Sequence, residues 1–375
     1  MKVLMLTPSY SPIVGGTERV VQNLALKLNE AGIQTDVLTL NMTEKWNPVW
    51  KGEIRENGHK IFRVPAFNAF RGFKINPLNF FLGINVVPKL NFVAQLKDYD
   101  LLHFHDDIDL SFPLFSSFIK TPKIFQCHTL GFTYKRYKTS PLSRSLLRKA
   151  GNSYICVSNF AKRLLTNLGI PESKVFVLPN GVNTQKFMPN ETSKTNNALL
   201  FVGRPGKVKG LSVLLNALSL PETPVTLKVV GPFNTGCNYI ELSPELRSKS
   251  KVIHEVEYIG RLNEENIIKC YQKASVFICP SLTEDFGIAN IEALSCGTPV
   301  VASRVGGISE IVQDHTNGLL VPPNNPKDLA DAIKELLANP KLRETYGKNG
   351  RKMVEDNFSW NHITQQLIKI YKKTI

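Results

Sequence analysis

Between Asp109 and Glu172 the chain has no acidic residue. The gap holds ten cations: Lys120, Lys123, Lys135, Arg136, Lys138, Arg144, Arg148, Lys149, Lys162 and Arg163. It makes the charge lopsided. Residues 1–190 carry 24 Lys and Arg against 12 Asp and Glu, residues 191–375 carry 22 against 19, and the formal total is +15. Such a field suits an anionic partner, whether nucleic acid, anionic lipid or a phosphorylated acceptor, and it also suits a basic face kept for solubility.

Other absences narrow the function classes. No uninterrupted apolar run approaches the ~18 residues of a membrane span. Met1-Lys-Val-Leu-Met-Leu-Thr-Pro8 lacks the cationic region and cleavage site of a secretory leader. The six cysteines (127, 156, 237, 270, 279 and 296) form no CxxC pair and fall mostly inside apolar runs. That predicts reduced, buried thiols in a cytoplasmic protein. There is no GxGxxG fingerprint, P-loop, GxSxG elbow, HExxH or internal repeat. His103, His105, Asp106 and Asp107 cluster in sequence but lack recognisable metal-ligand spacing.

What is present alternates strand and helix patterns. At 375 residues the chain is too long for one ordinary α/β core, which predicts two domains. Residues 2–8 read as a buried strand and 17–28 as an amphipathic helix. Further strands are expected at 36–40, 60–64, 100–105, 122–127 and 153–158, and Val175 to Asn183 reads as a strand running into a turn. Phe62 to Phe81 interleaves phenylalanines with Arg63, Arg71 and Lys74, a mix that suits a membrane interface and equally suits core packing. Met188 to Asn197 is polar and reads as a linker. A second series follows, with strands at 198–203, 225–230, 256–259, 275–279 and 300–303 and helices after Lys209, at 264–273, before Cys296, at 326–338 and at 341–355. The implied fold is α/β, two Rossmann-like domains facing across a cleft.

Several residues sit where ligands bind in such sheets, at the C-terminal strand ends. Gly15 and Gly16 precede the first helix, where backbone N–H groups can approach a phosphate. Arg204 and Lys209 leave the first turn of the second series beside Gly203, Gly206 and Gly210, a pairing able to clamp a diphosphate. Cys127-His128 ends a strand, and His128 could bond a substrate hydroxyl. Glu284 lies in a loop and Glu292 on the following helix. By themselves these two acids also read as ordinary solvated carboxylates.

Taken jointly, these residues resemble the family 4 retaining glycosyltransferases of the GT-B fold, also called glycosyl transferases group 1. The likeness runs nearly end to end. It takes in Gly15-Gly16, His128, Ser158-Asn-Phe-Ala-Lys162, Pro179-Asn-Gly-Val182, Gly203-Arg204 with Lys209-Gly210, Glu284 and Glu292, Gly297-Thr-Pro-Val-Val-Ala302 and Gly306-Gly-Ile-Ser-Glu310. The resemblance implies an acceptor domain over 1–190, a donor domain over 191–357, and a C-terminal helix, 358–375, returning to the first domain.

By the same resemblance His128, Glu284, Arg204 and Lys209 would be catalytic. Gly15, Gly16, Arg204, Lys209, Glu284, Phe286, Gly287, Ile288 and Glu292 would bind the donor, with Glu292 on the ribose hydroxyls. The expected partners are a UDP- or GDP-linked sugar and a lipid-linked, polysaccharide or phosphorylated acceptor, with no nucleic acid, no cofactor and no metal. The basic first domain adds an expectation of attachment to the cytoplasmic membrane face. A soluble epimerase, a sugar-phosphate synthase and a non-catalytic sugar-nucleotide binder are the rival readings. Two departures stand out: Asp285 where the family most often has glycine, and Asn183 where Asp is commoner.

Overall fold

The protein is described here by a computed structural model covering residues 1–13, 15–40, 52–56, 58–64, 66–68, 86–88, 96–105, 116, 119–190, 194–220, 224–232 and 255–375. The chain divides into two compact units, Met1–Asn180 with Trp360–Ile375, and Gly181–Ser359.

The first unit runs β1 (Lys2–Thr7), α1 (Gly16–Glu30), β2 (Gln34–Leu40), β3 (Gly52–Glu56), β4 (His59–Val64), β5 (Ala66–Asn68), β6 (Val86–Pro88), β7 (Leu101–Phe104), β8 (Lys123–Cys127), α2 (Leu130–Thr139), α3 (Pro141–Ala150), β9 (Ser153–Cys156), α4 (Asn159–Asn167) and β10 (Val175–Val177). Its main sheet has the order β10-β9-β8-β7-β1-β2-β4-β3. All neighbours are parallel except β3 against β4. Val3, Leu4, Met5, Leu6 and Thr7 are buried in unbroken succession, as expected of a parallel strand covered on both faces. From β1 the sheet grows one way through β2 and the other way through β7. The strand order therefore reverses there, and the C-terminal ends of β1, β7 and β8 share one edge.

The second unit contains β11 (Ala198–Val202), α5 (Leu211–Leu218), β12 (Thr226–Val230), β13 (Glu255–Gly260), α6 (Glu264–Lys273), β14 (Val276–Cys279), α7 (Ile288–Ser295), β15 (Val300–Ser303), α8 (Ile308–Ile311), β16 (Gly318–Val321), α9 (Pro326–Ala338) and α10 (Pro340–Asn357). Its strands are parallel in the order β13-β12-β11-β14-β15-β16. Here the reversal falls between β11 and β14, which brings the loops after those two strands side by side.

The last helix, α11 (Trp360–Thr374), packs on α1 and belongs to the first unit. Its buried residues Trp360, Ile363, Thr364, Leu367, Ile370 and Tyr371 repeat at helical spacing and form one inward stripe.

Two expectations are corrected and one open reading is narrowed. The boundary expected at 190 lies at Asn180, and residues 181–190 are tied into the second unit. The Val182 N–H donates to the Phe358 carbonyl at 2.8 Å, and the Phe187 carbonyl accepts from Ser295 Oγ at 2.5 Å and Arg351 Nη1 at 2.6 Å. The polar stretch 188–197 is no free linker over its described part. Lys194 Nζ donates to Thr298 Oγ1 at 2.7 Å, and the Thr195 carbonyl accepts from Ser275 Oγ at 2.7 Å. Low hydropathy concealed polar groups that satisfy buried partners. Arg63 is buried and donates to the Ser11 carbonyl, so it is not an interfacial cation; residues 69–81 of that aromatic stretch lie outside the described residues.

Because α11 seals α1, Leu367→Ala should lower the stability of the first unit by about 3 kcal/mol through the cavity it leaves. Urea denaturation followed by tryptophan fluorescence measures this.

Candidate active site

In the second unit the loop after β11 lies against the loop after β14. The Leu282 N–H donates to the Val208 carbonyl at 2.8 Å. Gly210, with φ of +68°, lies so close to Pro280 that a Cβ there would overlap its carbonyl oxygen. This contact sets Lys209 opposite Glu284, and the Lys209 ammonium donates to Glu284 Oε2. Lys209 is 36% exposed and Glu284 17%, so the pair is partly open to solvent. Burial alone would lower the Lys209 pKa, but the charge and hydrogen bond of Glu284 outweigh it and hold the ammonium above its usual range. Arg204 is exposed on the same loop, and its charge acts against that of Lys209.

Glu284 is fixed from behind. The Gly307 N–H donates to its carbonyl at 3.0 Å, and a Cβ on Gly306 (φ +51°) would overlap that same oxygen. Asp285 and Phe286 are buried, and the Phe286 ring meets Phe358 edge-on at 5.8 Å. Gly287 and Ile288 open α7 with the Asn290 N–H closing on the Gly287 carbonyl at 2.9 Å. One turn on, Glu292 is buried and accepts from the Tyr271 hydroxyl at 2.7 Å. Glu284 is thus paired with a cation and Glu292 bonded to a phenol. The two carboxylates are chemically distinct.

In the first unit Gly15 precedes α1 in extended conformation. The Glu18 carboxylate folds back to this helix start, accepts from Ser9 Oγ, and fills the space a Cβ on Gly15 would need. Gly16, the first helical residue, therefore has a carboxylate nearby at the positive end of the helix. His128 follows β8, with Nε2 at 3.2 Å from His105 Nδ1. His103 bonds the Tyr371 hydroxyl through Nδ1 at 2.7 Å. Burial pushes the pKa of His128 down to about 4 and, with the charge of His128 adding to it, that of His103 down to about 3. His105 is held well below its ordinary value by burial and by both neighbours.

The family described as "Glycosyl transferases group 1" matches residues 183–353, and "Glycosyltransferase Family 4" matches residues 14–186. An uncharacterized glycosyltransferase of Methanocaldococcus jannaschii is 32% identical, covering 100% of this chain and 98% of the relative. The chain belongs to the family 4 glycosyltransferases. A D-inositol 3-phosphate glycosyltransferase of Corynebacterium urealyticum is 26% identical over 99% of this chain and 95% of its own length. Among solved structures, sucrose-phosphate synthase from Thermosynechococcus elongatus superposes with a TM-score of 0.80 at 24% identity, covering 100% of this chain and 99% of that one. Anabaena HepE in complex with UDP-glucose gives 0.77 at 19% identity, with 100% of each chain covered. The fold is GT-B.

Within this glycosyltransferase the sequence signals for Arg204, Lys209, Glu284 and Glu292 were residue type and strand-end position. Three supports lacked such a signal. Tyr271 is remote from Glu292 in sequence, and the roles of Gly306 and Gly307 depend on a close backbone approach that no spacing announces. Among the basic residues, Lys123 is internal, its ammonium donating to the Ser116 and Ile119 carbonyls at 2.9 and 2.6 Å. Lys162 pairs with Glu172 at 2.8 Å. Lys120, Lys135, Lys138, Arg148, Lys149 and Arg163 are exposed. The buried or half-buried cysteines 127, 156, 270, 279 and 296 are free thiols; Cys237, Asp106 and Asp107 lie outside the described residues.

The buried histidines give a pH prediction. Their pKa values are lowered in the folded chain, so the unfolded chain takes up protons first as pH drops. Their contribution is complete above about 6.5 and is lost as pH falls toward their folded values. Stability should decline between pH 6.5 and 5 by about 1.4 kcal/mol per pH unit for each histidine involved. Denaturation at pH 7, 6 and 5 tests this, with His103→Asn expected to reduce the slope by one proton.

Proposed function

We propose that this chain transfers a sugar from a nucleotide-diphosphate sugar to a hydroxyl of a phosphate-bearing acceptor, soluble or lipid-linked, with retention at the anomeric carbon and without a bound metal. The Lys209–Glu284 pair at the strand-order reversal carries this reading. A diphosphate arriving there meets Lys209 and Arg204, and Glu284 is then placed to turn from the ammonium to the donor sugar's hydroxyls. Glu292, buried and already bonded to Tyr271, is the acceptor for ribose hydroxyls. Phe286, Gly287 and Ile288 supply backbone around the start of α7. HepE, crystallised with UDP-glucose, supports a nucleotide sugar as donor.

The chemical step balances without a cofactor. The bond from the anomeric carbon to the diphosphate oxygen breaks, and the acceptor oxygen bonds the same face. The acceptor proton passes to the leaving phosphate oxygen. Arg204 and Lys209 offset the charge that develops on the departing nucleoside diphosphate, in a site where the charge is poorly solvated. His128, a neutral ring at neutral pH, is the residue beside the reacting hydroxyl.

The phosphate on the acceptor is supported by the exposed cations of α2 and α3, Lys135, Lys138, Arg148 and Lys149, and by the D-inositol 3-phosphate and sucrose-phosphate named in the two related proteins. A membrane location is supported by Leu142, 57% exposed at the start of α3 between Lys138 and Arg144. An exposed apolar side chain with cations near it in sequence suits an anionic lipid surface.

A thermal-shift panel of nucleoside diphosphates and nucleotide sugars identifies the donor, since a ligand at 100 times its Kd adds about 2.7 kcal/mol. With that donor, Lys209→Ala should cut the transfer rate by about 10²–10³-fold, and Glu284→Ala should also lower it. Wild-type rates in both variants would overturn the site. Co-sedimentation with phosphatidylglycerol vesicles should be salt-sensitive and weakened by Leu142→Glu; no sedimentation at low salt removes the membrane location and leaves a soluble acceptor.

A further inference from the structure

His103 and His105 stand two apart at the end of β7, so their side chains leave the same face of the sheet. Phe104 points to the opposite face and stacks on Phe125 with centroids 4.6 Å apart. On the histidine side the rings of His103 and His105 lie 4.0 Å apart, and Tyr371 of α11 meets His103 edge-on at 5.6 Å. His105 lies 5.5 Å from the nearly parallel ring of His128. The result is one column, Tyr371–His103–His105–His128, closed by a bond at each end: Tyr371 hydroxyl to His103 Nδ1 at 2.7 Å and His105 Nδ1 to His128 Nε2 at 3.2 Å. The transfer chemistry above employs only the last member.

A neutral imidazole has one N–H and one bare nitrogen. A hydrogen bond between two neutral rings therefore fixes both tautomers at once. If His105 Nδ1 donates, the proton of His128 sits on Nδ1; if His128 Nε2 donates, the proton of His105 sits on its own Nε2. Burial keeps all three rings neutral near pH 7, which leaves this coupling intact under working conditions. The phenol of Tyr371 is held protonated by burial, so its hydroxyl can complete the bond to His103 Nδ1 with either tautomer of that ring.

We infer that His105 is a positioning residue for His128, setting through the Nδ1–Nε2 bond which nitrogen of His128 carries its proton, while Tyr371 and His103 clamp the His105 ring from the other side. The catalytic consequence rests on the reading of His128 given above, but the coupling itself does not. By this arrangement the C-terminal helix, far away in sequence, steadies the ring that faces the reacting hydroxyl.

The test uses the full chain labelled with ¹⁵N-histidine, with His128 assigned by the signals lost in His128→Gln. The wild type should show His128 as a single tautomer with a bonded Nε2. His105→Leu should convert it to a mixture and lower kcat about tenfold, leaving the donor KM within about twofold. The substrate is UDP-glucose or GDP-mannose, whichever is turned over. His105→Asn, whose amide can place a polar group near the former Nδ1, should restore most of both signals and rate. Tyr371→Phe, which keeps the ring and removes the hydroxyl, should move the His128 signals in the same direction by less; it reads the column even if His105→Leu fails to fold. Unchanged His128 signals in the His105→Leu and Tyr371→Phe proteins would overturn the inference. So would equal kcat losses in His105→Leu and His105→Asn. Wild-type turnover by His128→Ala would instead remove the role given to His128 and leave the tautomer result standing.

Discussion

The close backbone contact between the loops after β11 and β14 is the constraint on which the geometry around Lys209 and Glu284 depends. Parallel strands need crossover connections, and where the winding reverses two such connections leave the sheet in opposite directions. The gap between them follows from the order of the strands. Here it is narrowed by Gly210 against Pro280, and Gly306, in the loop after β15, backs Glu284 from the far side. With those backbones in place, Lys209 and Glu284 have little choice but to meet. A partly buried ion pair of this kind contributes modestly to stability, but losing one partner leaves the other charge poorly compensated. In the proposed reaction, an incoming diphosphate would replace one compensation by another.

The two units share a construction and differ in electrostatics. At the reversal in the second unit the polar groups are charged and partly exposed. At the corresponding sheet edge of the first unit they are neutral, stacked imidazoles sealed by the C-terminal helix. Burial favours the uncharged form of each ring, and each ring's potential charge disfavours the next. The same helix that completes the hydrophobic core through Leu367 also supplies Tyr371 to this column. Core packing and the imidazole column are therefore served by the same inward stripe of residues.

Much of this was legible before any coordinates. The strands that line the site fall within a residue or two of their expected spans, because unbroken apolar runs bounded by Gly and Pro leave few alternatives. Helices α6 and α9 fall on their expected residues, since the side chains of Asn263 and Asn325 cap their starts by accepting from the Asn266 and Asp328 N–H groups. The polar stretch after Met188 misled because composition reports average hydropathy and not whether a given Lys or Thr finds a carbonyl. Arg63 and Lys123 misled for the same reason, as buried cations satisfied by backbone oxygen atoms. Tyr271 had no local signal at all.

The sequence by itself determined the periodicities, the glycines at the turns, the charge imbalance and the ordered set of short motifs that places this chain among family 4 glycosyltransferases. Each is a property of neighbouring residues or of composition. Only the tertiary structure decided that Lys209 pairs with Glu284, that Tyr271 holds Glu292, and that Tyr371 reaches His103 across 268 positions of chain. The reason is physical. Side-chain period and turn chemistry act over a few residues, whereas ion pairs, ring stacks and backbone contacts depend on which strands the sheet makes neighbours, and that order is set by the packing of the whole unit.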